Sequence, residues 1–130
     1  MSADAFDVCI VGGGVAGRSA SVFTARADLD TVIADRSDPI LRRNAHLENY
    51  PGFPAGINSR LLLDSMREQA EKAGATFVEA RVTSLAQTDD GFAVETDAGD
   101  RYTAAFAIAA TKNETDYLAD LEGLDLLDRG

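Results

Sequence analysis

Phe6-Asp7-Val8-Cys9-Ile10-Val11 is a short, nearly continuous apolar run stopped by Gly12-Gly13-Gly14. That is the pattern of a strand buried on both faces of a parallel sheet. From Val15 to Ala27, small or apolar residues recur at Val15, Ala16, Ala20, Val22, Phe23 and Ala27 with no proline among them, which predicts a helix packed closely on that sheet. The β-branched stretch Thr31-Val32-Ile33-Ala34-Asp35 predicts a second strand. Strand, glycine turn, helix and strand fit within about 30 residues, the length of a βαβ unit.

Periodicity is lost from Arg36 to Ile57, where Pro39, Pro51 and Pro54 gather with Gly52 and Gly56. A loop is expected there, and loops of this length are uncommon unless functional. Ser59 is expected to cap a helix whose apolar positions are Leu61, Leu62, Met66, Ala70 and Ala73 and whose end is Gly74. Thr76 to Ala80 reads as a third strand. Val82 to Leu85, Phe92 to Thr96 and Arg101 to Thr103 read as short antiparallel strands, separated by the turn signals Asp89-Asp90-Gly91 and Asp97-Ala98-Gly99-Asp100. Ala105 to Ala110 is a further buried strand, and a short helix is expected around Tyr117 to Leu121. These elements predict an α/β fold, a Rossmann-like three-layer domain with a parallel sheet and a small antiparallel β insertion. No repeat or linker divides the 130 residues, so they are expected to form one domain.

Gly12-x-Gly14-x-x-Gly17 lies between a predicted strand and a predicted helix, where a dinucleotide fingerprint belongs. Gly12 makes the tight turn, Gly14 lets backbone approach a pyrophosphate, and Gly17 lets helix and strand pack closely. The helix N-terminus adds N–H groups and partial positive charge. Asp35 ends the second strand, where an acid can accept hydrogen bonds from ribose hydroxyls. Arg36 beside it could receive a 2′-phosphate or lie over an adenine, but Asp35 would repel such a phosphate. The residues therefore favour FAD or NAD over NADP.

Charge narrows the classes. With 22 acids against 12 bases the formal net charge is -10, which argues against nucleic acid as a partner because phosphate contacts need clustered Lys and Arg. The 10 Arg to 2 Lys and 15 Asp to 7 Glu suggest a salt-adapted, halophilic chain. No apolar run approaches the roughly 20 residues of a membrane span, and the acidic start Met1-Ser2-Ala3-Asp4 is unlike a signal peptide. No membrane association and a cytoplasmic location are expected. The lone Cys9 cannot make a disulfide or a dithiol pair within the chain and reads as a small buried hydrophobe.

Four stretches together carry a family likeness: Asp7-Val8-Cys9-Ile10-Val11-Gly12-Gly13-Gly14-Val15-Ala16-Gly17, Glu48-Asn49-Tyr50-Pro51-Gly52-Phe53-Pro54, Gln69-Ala70-Glu71-Lys72-Ala73-Gly74-Ala75, and Gly91-Phe92-Ala93-Val94-Glu95-Thr96 leading to Ala109-Ala110-Thr111. The chain resembles the flavin domain of thioredoxin reductases and their low-molecular-weight flavoprotein relatives. The resemblance implies FAD as cofactor, with its pyrophosphate on Gly12, Gly13, Gly14, Val15, Ala16 and Gly17. It further implies the adenosine ribose on Asp35 with Arg36 adjacent, adenine at the Val82 backbone, the ADP half beside Ala110 and Thr111, and the flavin near Asn49. Leu41 aligns with a loop leucine of the family and is carried over as a cofactor position. His46 and Arg42-Arg43 share that loop and could place a cation near the flavin.

The departures matter too. Asp38-Pro39-Ile40 replaces the family's Gly-Gly-Gln, Lys112 replaces the glycine of Ala-Thr-Gly, and neither the Cys-x-x-Cys disulfide nor the nicotinamide domain is found. No residue is assigned a catalytic role, because the flavin would carry the electrons. Donor and acceptor would then be a partner protein or a small molecule. The alternative is a non-catalytic FAD or NAD domain acting as a sensor or assembly subunit; an NAD-dependent enzyme lacking its substrate domain comes third. Asn113 to Leu118 and Gly123 to Gly130 resemble the family segment that follows the nicotinamide domain. An incomplete flavin domain is therefore expected, either part of a longer chain or completed by a second subunit, as in a homodimer.

Overall fold

Val8, Cys9, Ile10 and Val11 are all buried, and the strand they belong to, β1 (Asp4–Val11), runs through the middle of the protein. A computed structural model describes residues 4–36, 46–111, 116–118 and 121. After β1 come α1 (Val15–Arg26), β2 (Thr31–Asp35), α2 (Ser59–Ala73), β3 (Thr76–Glu79), β4 (Val82–Thr88), β5 (Gly91–Thr96) and β6 (Arg101–Ala109). A 3-10 turn spans Asp116–Leu118.

The six strands form one sheet in the order β3-β2-β1-β6-β5-β4. The β3, β2, β1 and β6 strands are mutually parallel, with Cys9 opposite Val32 on one side and Ala107 on the other. The β4, β5 and β6 strands are antiparallel. On one face Val8, Ile10 and Ile33 pack with Ala20, Phe77 and Ile108, while Val22 and Ala25 of α1 meet Ala70 and Ala75. On the other face Cys9, Val11, Val32 and Ala34 share a core with Val82, Leu85, Val94, Tyr102, Tyr117 and Leu118. The antiparallel wing thus turns back over the parallel strands, giving the three layers of a Rossmann-like α/β fold. The expected antiparallel insertion is a continuation of the same sheet.

Several boundaries differ from the sequence reading. Arg101–Ala109 is one strand, not two, because its first half pairs with β5 while its whole length runs along β1. The α2 cap is Asn58, whose side chain accepts from the Arg60 and Leu61 N–H groups at 2.9 and 3.3 Å; Ser59 is the first helical residue and is buried. Gly74 does end that helix, in the left-handed region at φ 110°. Phe23, expected on the packed face of α1, is 76% exposed. Of the segment where a helix is expected, Tyr117 to Leu121, the described residues show a 3-10 turn over Asp116–Leu118 and a Leu121 N–H to Leu118 carbonyl bond of 3.0 Å; 119–120 lie outside the described residues.

Candidate nucleotide-binding site at the glycine turn

The parallel strands end where the chain turns through Gly12, Gly13 and Gly14 into α1. Gly12 has φ 111°, donates its N–H to the Ala34 carbonyl at 3.1 Å, and lies against the Ala110 carbonyl and Thr111, so a side chain there would strike backbone. Ala110 in turn donates to the Val11 carbonyl at 2.8 Å. A Cβ on Gly13 would collide with the Asp35 carboxylate, and one on Gly17 with the Gly12 carbonyl oxygen. Gly14 differs: a Cβ there would meet nothing within 4 Å.

Gly14 is also the N-cap of α1, with no side chain bonded to the first turn and no acidic residue within it. The backbone donors of Val15, Ala16 and Gly17 are those a helix start leaves without an intrahelical acceptor. Ala16 is exposed and Val15 partly so. The turn therefore combines an open approach at Gly14 with a donor-rich, dipole-positive end, a setting suited to an anion such as a pyrophosphate.

Asp35 is 6% exposed and its Oδ2 accepts from Arg18 Nη2 at 2.6 Å. Arg18 is 1% exposed, and its other nitrogens donate to the Gly13 carbonyl at 2.7 Å and the Leu63 carbonyl at 3.0 Å. This buried arginine is absent from the sequence-derived site. Ala80 donates its N–H to the Asp35 carbonyl at 3.1 Å, which sets the corner leading to Val82 beside the acid. Val82 itself is buried at the start of β4. Arg36 is exposed just beyond Asp35.

No protein-family model matches the chain. Among curated proteins it is 37% identical to the thioredoxin reductase of Aquifex aeolicus over 108 residues, covering 82% of this chain and 33% of that one. It is 34% identical over 126 residues to the bifunctional thioredoxin reductase/thioredoxin of Mycobacterium leprae, covering 95% and 28%. Among solved structures, a thioredoxin reductase from Gloeobacter violaceus superposes with a TM-score of 0.76 at 36% identity, over 83% of this chain and 34% of that one. The chain is similar to part of thioredoxin reductases. It spans about a third of the length of the curated relatives it matches.

Within this chain, the structure brings together Gly12 to Gly17, Asp35, Ala110 and Thr111. The Thr111 hydroxyl shares a 2.6 Å hydrogen bond with the Tyr117 hydroxyl, which ties the 3-10 turn to the end of the sheet. Asn49 is exposed in the proline-rich segment, whose ends are pinned by paired hydrogen bonds of 2.8 and 2.9 Å between Leu47 and Ile57. His46 lies 3.5 Å from Glu48 and packs against Gly56. Leu41, Arg42-Arg43, Asp38-Pro39-Ile40 and Lys112 lie outside the described residues, as do 113–115 and 122–130. Cys9 is fully buried, and desolvation pushes its thiol up to about 12.

Proposed function

We propose that this chain is an FAD-binding unit of a thioredoxin reductase-like oxidoreductase, cytoplasmic and salt-adapted. The carrying observation is the contrast among the glycines. Packing within the protein accounts for Gly12, Gly13 and Gly17, whereas Gly14, the N-cap of α1, faces no described atom within 4 Å and leaves the helix start open to a group brought from outside. In this reading the α1 N-terminus holds the pyrophosphate, Asp35 the adenosine ribose, the Val82 backbone the adenine, and Asn49 the flavin end. Bound FAD supplies the electron transfer. The protein's share is to bind and orient the dinucleotide, because the sole cysteine, Cys9, is buried and held as a thiol. Donor and acceptor are then assigned to other domains or other molecules, as the chain's coverage of about a third of its relatives supports.

The test is an absorbance spectrum of the purified protein followed by titration with FAD and with NAD. Little or no flavin is expected to be retained through purification, and the titration is expected to show FAD binding more tightly than NAD; equal or tighter binding of NAD overturns the assignment. A second reading, a nucleotide sensor without turnover, draws on the absence of any dithiol in the chain. It is favoured if bound flavin, once reduced, passes no electrons to soluble acceptors.

A further inference from the structure

Arg18 lies one residue beyond the glycine motif, inside α1, where its 1% exposure would suit an aliphatic side chain. Burying a guanidinium is unfavourable unless each nitrogen finds an acceptor. Here all three do, and each acceptor belongs to a different part of the fold. Nε donates to the Gly13 carbonyl in the turn, Nη1 to the Leu63 carbonyl in α2, and Nη2 to Asp35 Oδ2 at the end of β2. The guanidinium also sits 5.5 Å from the centroid of the Phe77 ring. A lysine ammonium carries all its donors on one nitrogen, whereas the planar fork spreads them over three, and each meets its own acceptor.

The bond to Gly13 has a consequence for the turn. No described peptide bond is cis. In a trans peptide the carbonyl and the following N–H point in opposite directions. A Gly13 carbonyl drawn inward to Nε therefore aims the Gly14 N–H outward, away from Arg18. The same guanidinium fixes the Asp35 carboxylate against Gly13, so the phosphate-facing turn and the ribose-facing acid are braced as one unit.

Resting on the dinucleotide reading above, we infer that Arg18 is a positioning residue of the nucleotide site. It orients the Gly13–Gly14 peptide to donate to the pyrophosphate and locks Asp35 to that turn, without itself touching the ligand. Preorganised donors of this kind lose effectiveness when their support is removed, even with charge and fold kept.

The experiment compares the intact chain with Arg18→Lys, which keeps a cation beside Asp35 but not the fork, and with Arg18→Met/Asp35→Asn, which removes both charges at similar volume. FAD, ADP and AMP are titrated against each, with folding followed by circular dichroism. Folded variants are expected to bind FAD about tenfold more weakly or worse, a loss of ~1.4 kcal/mol. They should also lose much of the preference for ADP over AMP, since the second phosphate depends on the turn. A purely structural role would weaken ADP and AMP alike, and the Asp35 change affects a ribose that both ligands share. Unchanged FAD affinity, or an unchanged ADP to AMP ratio, in either folded variant overturns the inference while leaving the dinucleotide reading in place. Failure of the unaltered chain to bind both FAD and ADP overturns that reading and this inference with it.

Discussion

A methyl group added at Gly17 runs into the Gly12 carbonyl oxygen, whereas one added at Gly14 has open space. The two substitutions should therefore separate stability from binding. Gly17→Ala is expected to cost about 1–3 kcal/mol by overpacking the helix against the turn. Gly14→Val should change stability by much less and abolish FAD binding. Thermal melts and an FAD titration on both variants check this crossed pattern, and a Gly14→Val protein that still binds FAD would remove the main support for the site. Arg18 and Asp35 are at risk in a different way. Both are buried in one ion pair, so Arg18→Met alone removes the buried cation that Asp35 faces and is expected to lose about 3–5 kcal/mol in denaturant unfolding.

The two ends of α2 carry most of its local specification. Asn58 accepts two N–H groups at its start, and Gly74 closes it in a conformation that disfavours side chains. Asn58→Ala should destabilise the protein by about 1 kcal/mol, but Asn58→Gly by only a few tenths, as urea midpoints would show. Gly74 was legible in the sequence because the apolar period stops there; the cap was not, since Asn58 and Ser59 are both good caps and spacing does not choose between adjacent ones. β1 and β2 were legible because strands buried on both faces leave unbroken apolar runs. β6 does not read as one strand in the sequence because it has two characters. Its first residues alternate exposed and buried beside β5, and from Ala105 it becomes a small apolar run along β1. In the site, the glycines and Asp35 show through their spacing, while Arg18 does not, because a charge on an amphipathic helix usually marks the wet face. The signal was nonetheless present: Arg18 falls at the helical spacing of Val22 and Ala25, the buried stripe of α1.

Over the whole molecule the net charge of -10 sets the response to salt. Raising ionic strength from 0.1 to 1 M shortens the screening length from about 10 to about 3 Å and relieves repulsion among the acids. The thermal midpoint should rise with molar KCl, and a flat or falling midpoint would count against salt adaptation. Cys9 offers a way to follow such changes from within. It is the chain's one thiol, held in the central strand between β2 and β6 with no exposed surface. A thiol reagent reaches it only when that strand opens, so its modification rate works as a built-in stopwatch on opening of the sheet. With a chromogenic aryl disulfide, reaction should be negligible in the native protein, accelerate with urea in step with lost circular dichroism, and slow again in KCl or with any ligand that prefers the folded state.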